Sequence, residues 1–386
     1  MKKVPRLRFR GFSEDWELCK LGEESDVRDG THDSPKYFDD GYPLVTSKNL
    51  KDFGLDLSDV SLISYKDFKS INKRSKVDIG DILFGMIGTI GNPVQIFRDD
   101  FAIKNVALIK EQRKILNGFL IHILKSPVFD RYIRNENAGG TQKFLALSKV
   151  RGFEFLRPNI EEQVRIGNLF KQIDNTITLH QRKLDQLKEL KKAYLQVMFV
   201  SMNTKNNKVP KLRFTNFKGE WEQRKLGNIS KMYQPQTITG TELLPSGYPV
   251  FGANGYIGFY SEMNHENDQV TISARGEGTG TINYVNGPVW ITGNSMVINV
   301  NDFDINKRFL HANLSSNSLK KYITGGAQPQ LTRDILTSVP IKLPNIFEQN
   351  KIGLFFKQLD ETVNLHQNKL TQLKSLKKSY LQNMFI

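Results

Sequence analysis

Cysteine and histidine are scarce in this chain, and their scarcity excludes several kinds of site. The single cysteine, Cys19, can form neither a disulfide within the chain nor a cysteine-based metal site. The 6 histidines show neither the spacing of zinc ligands nor the arrangement of a nucleophilic triad. The sequence therefore predicts no metal site and no triad.

Long hydrophobic runs are also missing. No apolar run approaches the length of about 18 residues that a membrane-spanning helix needs. The opening segment MKKVPRLRFRGF has no apolar stretch of the kind found in secretory signals. With only one cysteine besides, we expect a soluble protein of the reducing cytoplasm.

Complete nucleotide-binding and catalytic motifs are absent as well. GMIGTIG (85–91) and GEGTG (276–280) are rich in glycine, but neither completes a dinucleotide fingerprint or a phosphate loop, and strand turns explain both. The nearest string to the Asn/Asp-Pro-Pro-aromatic motif of adenine methyl transfer is Asn92-Pro93-Val94, which lacks the second proline and the aromatic residue. No carboxylate–lysine cluster of nuclease type stands out. We therefore expect a non-catalytic chain that recognises and scaffolds, with no cofactor of its own.

Positive charge and aromatic residues, in contrast, are plentiful. The 386 residues include 55 Lys and Arg against 40 Asp and Glu, which gives a net charge of +15. A polyanion, most often a nucleic acid, is the expected partner of such a chain. An apolar content of 39%, with 25 Phe and 12 Tyr, is enough for a sizeable core.

A repeat of 40 residues organises the chain. IEEQVRIGNLFKQIDNTITLHQRKLDQLKELKKAYLQVMF (160–199) aligns without gaps to residues 346–385, and 26 of the 40 positions are identical. A second repeat pairs VPRLRFRGFSEDWELCKLG (4–22) with VPKLRFTNFKGEWEQRKLG (209–227). The segments between these blocks differ in length, but FLIHILKSPVFDRYI (119–133) follows the pattern of FLHANLSSNSLKKYI (309–323). We infer a constant frame that does one job twice and two diverged interiors that share one fold.

The repeated 40-residue block has the apolar spacing of a coiled coil. Steps of three and four residues predict one long helix per copy, each paired through a heptad seam. The simplest arrangement pairs the two copies antiparallel within one chain. The predicted seam comprises Phe170, Ile173, Ile177, His180, Leu184, Leu187 and Tyr194 in the first copy and Phe356, Leu359, Val363, His366, Leu370, Leu373 and Tyr380 in the second.

Several positions of the two helices call for separate interpretation. His180 and His366 have no second ligand at a suitable spacing, so we interpret them as buried or half-buried seam residues that fix the register. Lys191 and Lys377 are expected to lay their aliphatic stems along the seam and reach water with the ammonium. Further leucines widen the apolar face and leave room for a partner protein: Leu179, Leu190 and Leu195, with their counterparts Leu365, Leu376 and Leu381.

The two diverged interiors alternate strand-like and helical patterns, which predicts an α/β (α+β) fold for each. Polar residues in their loops are candidates for DNA contact, because amide and basic side chains read base edges and hydroxyl and lysine side chains hold phosphates. Ordinary turn and capping roles explain any single one equally well. The candidates are Thr31, His32, Ser47, Lys48, Asn49, Lys104, Asn105, Gln142 and Lys143 in the first half, and Gln234, Gln236, Asn254, Tyr256, Arg275, Thr279, Asn294, Gln328 and Gln330 in the second.

Over its whole length the sequence resembles the specificity subunit of type I restriction–modification enzymes. The resemblance rests on WELCKLG and WEQRKLG, on PNIEEQ and PNIFEQ before the long helices, and on the duplicated heptad block that ends YLQxMF. It implies two target recognition domains, residues 1–157 and 201–343, and two spacer helices, residues 158–200 and 344–386, in a pseudo-twofold molecule. Each domain would read one half of a split double-stranded DNA site, and the helices would set the gap.

The resemblance also implies partners and cofactors. Two methyltransferase subunits with S-adenosylmethionine would methylate adenine, and two motor-nuclease subunits with ATP and magnesium would cut unmodified DNA, as a defence against phage. Three alternatives remain open from the residues alone. The chain could be an adaptor whose interiors bind proteins, a stand-alone enzyme such as a nuclease, or a spare specificity chain that supports modification without cutting.

Overall fold

A computed structural model describes residues 4–51, 54–88, 90–112, 114–136, 144–202, 207–276, 278–326 and 328–386. The chain divides into two compact units, called here unit 1 and unit 2. Unit 1 comprises Met1–Gln181 and Asn368–Ile386, and unit 2 comprises Arg182–Gln367. Among the described residues, no helix is both long enough and apolar enough to cross a membrane.

Unit 1 is built mainly from short strands with a few helices around them. Its strands are β1 (Glu17–Lys20), β2 (Val27–Asp29), β3 (Tyr37–Phe38), β4 (Tyr42–Val45), β5 (Leu50–Lys51), β6 (Gly54–Leu55), β7 (Ser61–Ile63), β8 (Ile82–Gly85), β9 (Gly91–Gln95), β10 (Ala102–Ile103), β11 (Val106–Ile109) and β12 (Glu154–Arg157). Its helices are α1 (Leu21–Glu24), α2 (Tyr65–Ser75), α3 (Asn117–Leu124), α4 (Pro127–Glu136) and α5 (Leu147–Arg151), followed by the start of the long helix α6 (Ile160–Val197).

Unit 2 repeats this construction with fewer elements. Its strands are β13 (Glu222–Lys225), β14 (Lys231–Tyr233), β15 (Tyr248–Gly252), β16 (Gly255–Tyr260), β17 (Gln269–Ser273), β18 (Ile282–Val285), β19 (Trp290–Ile291), β20 (Ser295–Asn299) and β21 (Pro340–Leu343). Its helices are α7 (Lys307–Ser315), α8 (Arg333–Thr337) and the first part of the second long helix, α9 (Ile346–Asn383).

The central sheet has the same topology in the two units, and parts of the smaller sheets correspond as well. The central sheet has the order β2-β11-β8-β9 in unit 1 and β14-β20-β17-β18 in unit 2, antiparallel throughout. A second sheet begins with a parallel pair in both units, β10 with β4 and β19 with β15. A two-stranded ladder, β1 with β12 and β13 with β21, closes each unit. This correspondence confirms the prediction that the diverged interiors share one mixed α/β fold.

Each unit has its own hydrophobic core beneath the central sheet. In unit 1 the core gathers around Trp16, Phe119 and Phe170, all of them at most 1% exposed. In unit 2 it gathers around the equivalent Trp221, Phe309 and Phe356. Burial of each such large side chain contributes about 2 to 3 kcal/mol to the free energy of unfolding. The repeated tryptophans and phenylalanines of the frame are thus the centres of the two cores.

The repeated PNIxEQ string starts each long helix by means of specific hydrogen bonds. The side chain of Asn159 accepts from the backbone N–H of Glu162 (2.9 Å), as expected of an N-cap residue. Gln163 ties the helix start to the loop before it, since its Nε2 donates to the carbonyl of Pro158 (3.0 Å). The second copy repeats both bonds: the N–H of Glu348 donates to Oδ1 of Asn345 (3.0 Å), and Nε2 of Gln349 donates to the carbonyl of Pro344 (3.0 Å).

Each unit also pairs one long helix with a segment of the other, and the pairing is antiparallel. In unit 1, Asp174 of α6 contacts Lys377 of α9, while Phe170, earlier in α6, stacks on Phe385, two residues beyond the end of α9. Unit 2 shows the same arrangement, and there Phe199 packs against Phe356 (centroids 5.5 Å apart).

The predicted seam positions of both helices are buried or half-buried, whereas Leu179, Leu190, Leu365 and Leu376 are exposed. His180 and His366 are half-buried, and their role in fixing register stays a prediction. The expectation for the two seam lysines was wrong. Lys191 forms an ion pair with Asp360, and Lys377 forms one with Asp174, both at 2.5 Å, so the ammonium groups are held by the facing helix segment instead of reaching for water.

Candidate nucleic-acid interface

The candidate residues of unit 1 meet at one edge of its central sheet. Thr31 and His32 follow the last residue of β2, and Lys104 and Asn105 precede the first residue of β11. Because β2 and β11 are antiparallel neighbours, these two ends lie side by side, and Thr31 forms a bridge with Lys104. Gly30 makes the approach possible, since a Cβ there would lie 2.4 Å from the carbonyl oxygen of Ile103.

A hydrogen-bonded cluster holds His32 at this edge. Its Nδ1 lies 2.8 Å from Oδ1 of Asn105, and its Nε2 lies 2.9 Å from Oδ2 of Asp29. The other carboxylate oxygen of Asp29 accepts from Arg74 of α2. The bond to Asn105 and then the bond to Asp29 raise the pKa of His32 above its ordinary value, although burial opposes the shift.

Three other candidates of unit 1 lie in a 3-10 turn away from this edge. Asn49 is only 3% exposed, and its amide caps Thr46 and donates to the carbonyl of Asp56 (3.1 Å). Ser47 is buried in the same 3-10 turn. Lys48 is exposed but interacts with Asp59 (3.4 Å). The amide of Asn49 therefore holds this turn together and is not presented to DNA in this conformation. Gln142 and Lys143 lie outside the described residues.

Unit 2 brings its candidates to the equivalent edge. Gln234 and Gln236 follow β14, and Asn294 precedes β20, which is the antiparallel neighbour of β14. Nε2 of Gln234 donates to the carbonyl of Gly293 (2.8 Å), which places the two loops in direct contact. Gln236 and Asn294 are exposed there.

A second group of unit 2 candidates lies beyond the end of β17, the next strand of the same sheet. Arg275 forms a backbone bridge with Gln330, and the hydroxyl of Thr279 donates to the carbonyls of Gly276 (2.6 Å) and Pro329 (3.0 Å). The N–H of Ala274 donates to the carbonyl of Asn294 (3.0 Å), so this group adjoins the first one.

The remaining candidates of unit 2 border these groups. Asn254 lies close to Gly278: a Cβ on Gly278 would be 2.6 Å from Oδ1 of Asn254. Tyr256 on β16 is 56% exposed and packs edge-on against Phe251. Gln328 is exposed in the turn that its N–H closes by donating to the carbonyl of Gly325 (2.9 Å).

Sequence reasoning missed several residues at these edges. Arg74 was missed because α2 has no repeat counterpart to draw attention to it. Ile87 and Phe144 form in unit 1 the bridge that corresponds to Arg275 and Gln330 in unit 2, and both are exposed. Their apolar character hid them from a search for polar readers, although apolar contact with the thymine methyl group is a recognised mode of base reading.

A further cluster of unit 2 combines an aromatic ring with charges. The guanidinium of Arg308 lies 3.3 Å from the ring centroid of Tyr284, and the Tyr284 hydroxyl donates to Asp268 (2.8 Å). Burial, followed by the bond to Asp268, raises the pKa of Tyr284 to about 12, so the hydroxyl keeps its proton. No group of three or more potential metal ligands occurs in the part of the chain that the structure describes.

Comparison with known proteins gives consistent matches. The family model described as "Type I restriction modification DNA specificity domain" matches residues 13–189 and again residues 218–375. The "Putative type I restriction enzyme MjaX specificity subunit" of Methanocaldococcus jannaschii is 23% identical, over 95% of this chain and 92% of its own length. The EcoprrI specificity subunit of Escherichia coli is 26% identical over 45% of this chain and 43% of its own length.

Solved structures agree on the fold. The crystal structure of a type I restriction–modification system S subunit from M. genitalium superposes with a TM-score of 0.75 at 17% identity, over 99% of both chains. A chain from a structure titled for the complex assembly and conformational transition of the type I R-M system has a TM-score of 0.52 at 17% identity, over 95% of this chain and 96% of that one. Since the specificity-domain model matches both halves of the chain, this protein belongs to the type I restriction–modification DNA specificity family, whose members are the DNA-recognition subunits of these enzymes and not the catalytic ones.

Proposed function

We propose that this chain reads a split, asymmetric site on double-stranded DNA, with one half of the site read by each unit. The observation that carries the proposal is the shared location of the candidate readers. In both units several of them lie at the same edge of the central sheet, after β2 and before β11 in unit 1, and after β14 and before β20 in unit 2. Two copies of one fold, with different side chains at the same edge, suit the reading of two different half-sites.

The chemistry of the two edges supports DNA as the ligand. Unit 1 offers Lys104, Asn105 and the His32 ring, and unit 2 offers Gln236, Arg275 and Asn294. Amide and guanidinium groups match the donor and acceptor patterns of base edges in the major groove. The net charge of +15 favours a polyanion and predicts binding that weakens steeply with salt.

The long helices are proposed as spacers and docking surfaces. We assign residues 1–157 and 201–343 to the two reading domains and residues 158–200 and 344–386 to the spacers that set the gap. The equivalent leucines Leu179 and Leu365 are 67% and 68% exposed, so the two helices offer equivalent apolar positions to a partner. Two methyltransferase subunits dock there, and two motor-nuclease subunits join them.

The chemistry belongs to these partners, which carry S-adenosylmethionine, ATP and magnesium. The methyltransferases modify adenine, and the motor-nucleases cut unmodified DNA in the cytoplasm. One solved structure similar to this chain is titled for assembly of a type I R-M complex, which supports the assignment of partners. Methylation of a base inside a duplex requires that the base be flipped out of the stack, a task of the methyltransferase subunits.

The test is a map of methylated adenines made with the chain, its methyltransferase partner and single variants of the chain. Asn105→Ala is expected to alter or relax one half of the methylated motif, and Asn294→Ala the other half. Asn301→Ala is the matched control, because Asn301 is exposed beyond the opposite end of the same strand β20. A motif that both variants change in the same half would overturn the assignment of one half-site to each unit.

A further inference from the structure

The cluster of His32, Asn105 and Asp29 in unit 1 joins a titratable ring to an amide at the reading edge. Nδ1 of His32 faces Oδ1 of Asn105 at 2.8 Å, and Nε2 faces Oδ2 of Asp29 at 2.9 Å. His32 is 56% exposed by its side chain, so protons reach it from solvent, whereas the Asp29 side chain is only 10% exposed. The two nitrogens of the ring therefore contact different groups. One faces a fixed carboxylate, and the other faces an amide whose oxygen end accepts and whose nitrogen end donates hydrogen bonds.

Asp29 fixes which ring nitrogen of His32 always carries a hydrogen. Its carboxylate is held by Arg74 on one oxygen and faces Nε2 of His32 with the other. A carboxylate only accepts hydrogen bonds, so Nε2 carries its hydrogen in the neutral ring as well as in the charged one. Any change of protonation consequently takes place at Nδ1, the nitrogen that faces Asn105.

Nδ1 reverses its role when the ring gains or loses a proton. In the imidazolium it carries a hydrogen and donates to Oδ1 of Asn105, so the Asn105 amide nitrogen points away from the ring. In the neutral ring Nδ1 is an acceptor, and a hydrogen bond then requires the amide nitrogen to face it and Oδ1 to point away. We propose that the protonation state of His32 sets which end of the Asn105 carboxamide is offered to DNA, and thereby which bases unit 1 accepts at that position.

The backbone at Asn105 is fixed, so only the amide needs to turn. Asn105 has a φ of +55°, a left-handed conformation that asparagine adopts more readily than most residues. Its N–H donates to the carbonyl of Thr31 (3.1 Å), which ties the residue to the loop after β2. Asn105 is half-buried, and in the part of the chain that the structure describes its amide nitrogen makes no hydrogen bond.

The two orientations differ in the base edges that they complement. An outward amide nitrogen donates to acceptors in the major groove, such as O6 and N7 of guanine or O4 of thymine. An outward oxygen accepts from the exocyclic amino groups of adenine or cytosine. His32 is accordingly a positioning residue that acts through Asn105 and not itself a base reader. The idea rests on the proposed function, since it assumes that the edge of unit 1 reads DNA.

The charges around the ring have opposing effects: the carboxylate of Asp29 favours the charged ring, whereas the guanidinium of Arg74 disfavours it. Asp29 of β2 faces it directly, Arg74 of α2 lies on the far side of that carboxylate, and the ammonium of Lys104 is engaged with the hydroxyl of Ser34 at 2.5 Å. The bond to Asn105 and then the bond to Asp29 outweigh burial and raise the pKa of His32 above its ordinary value. The next residue along, Asp33, is exposed and bonds to Thr31 through its backbone N–H.

Unit 2 supplies an internal control. Asn294 occupies the position that corresponds to Asn105, and among the described residues no histidine contacts its side chain. His265 of unit 2 is instead buried at 7% exposure, bonded to Tyr233 (2.9 Å) and Asn264 (2.6 Å). Burial lowers the pKa of His265, which favours the neutral ring.

The test uses the full chain in complex with its methyltransferase partner and a pool of random duplexes. Bound duplexes are sequenced after selection at about pH 6 and at about pH 8, on either side of the usual histidine range. At one position of the unit 1 half-site we expect the ratio of guanine and thymine to adenine and cytosine to change by about tenfold between the two conditions. The unit 2 half-site is expected to stay the same.

Variants distinguish the amide switch from a general effect of pH. His32→Lys offers only donors and should give the acid preference under both conditions, whereas His32→Gln should remove the pH dependence. A split motif that is identical at both pH values in the unmodified chain would overturn the inference and leave the proposed function standing. The absence of any split motif would overturn the proposed function, and the inference with it.

A second measurement tests the switch in the unmodified chain without DNA. Nuclear magnetic resonance of the chain, labelled at histidine and asparagine, follows the His32 ring and the Asn105 side-chain amide through a pH titration. The two are expected to change with one common midpoint. Titration of His32 without any response of the Asn105 amide would contradict the inference.

Discussion

Lys191 and Asp360 form an ion pair of 2.5 Å in unit 2, and Lys377 and Asp174 form the equivalent pair of 2.5 Å in unit 1. The 40-residue repeat places each lysine 186 positions from its counterpart, and each aspartate likewise. Each pair joins one copy of the repeat to the other, and within each unit the pairing is antiparallel. The duplicated sequence thus encodes its own pairing partner.

Exchange of the charges tests this pairing. Asp174→Lys alone should lower the free energy of unfolding, because two ammonium groups would then face each other. Adding Lys377→Asp should restore most of the loss, with a coupling energy of about 1 kcal/mol, the size expected for a partly exposed pair. Denaturant unfolding of the single and double variants measures this coupling, and the same exchange at the exposed pair Lys192 and Glu189 should show almost none.

A buried ion pair closes each unit around the start of its long helix. The guanidinium of Arg8 donates to both oxygens of Glu162 at 2.8 Å, and Arg213 does the same to Glu348 at 2.7 Å. Glu162→Gln leaves the Arg8 charge poorly compensated, which should lower the free energy of unfolding of unit 1 by roughly 3 kcal/mol. Glu161→Gln, at an exposed position one residue earlier, is the matched control. Equal unfolding curves for the two variants would show that the pair contributes little.

We expect the buried ring of His122 to make unit 1 sensitive to acid. His122 stacks on Phe170 with centroids 4.5 Å apart, and burial, followed by the charges of Lys377 and Lys125, lowers its pKa well below the ordinary value of 6.5. As the pH drops below 6.5, the unfolded chain therefore binds a proton at this residue, whereas the folded chain does not. The free energy of unfolding consequently falls with the pH, by at most about 1.4 kcal/mol per pH unit.

Replacing this ring isolates its contribution. His122→Phe should keep the stack on Phe170 and flatten the acid side of the stability profile, measured by denaturant unfolding at a series of pH values. His311 of unit 2, whose pKa burial lowers to about 4, should leave a residual slope between pH 6.5 and about 4. An unchanged acid profile in His122→Phe would contradict the prediction.

Exposed leucines of the long helices give a test of docking. Leu365→Glu and Leu179→Glu change side chains that are 68% and 67% exposed, so the free energy of unfolding should hardly change. The affinity for the methyltransferase partner should fall about tenfold, as expected when a charge enters an apolar contact. Isothermal titration or co-purification measures this effect. Normal binding by both variants would remove these leucines from the docking surface.

The sequence was most informative where the chain repeats itself. The 26 identities over 40 residues, with their heptad spacing, predicted both long helices, and the weaker echoes between the interiors predicted their common fold. These predictions succeeded because the position of an apolar side chain on a helix follows directly from its spacing. The Lys191–Asp360 ion pair was not predicted, because the sequence pattern of a lysine on the seam is the same whether its ammonium is solvated or paired with a carboxylate.

The reading edges were harder to derive. Thr31 and Lys104 are far apart in sequence and meet only because β2 and β11 are antiparallel neighbours. Asn49 was a candidate base reader, but its amide forms hydrogen bonds within the turn that contains it. Residue spacing alone does not reveal such bonds. Exposed Phe144 was overlooked since an aromatic residue in a loop is equally typical of a core.

The central claim is that two copies of one fold read two halves of one DNA site. The most direct measurement is a genome-wide map of methylated adenines in cells that express this chain with its methyltransferase partner, compared with cells that lack the chain. We predict a split motif with a fixed gap, and we predict that exchange of the interior of unit 2 (228–345) for that of another specificity subunit changes only one half of it. Assembly of the subunits without any such motif, or a change in both halves after the exchange, would contradict the claim.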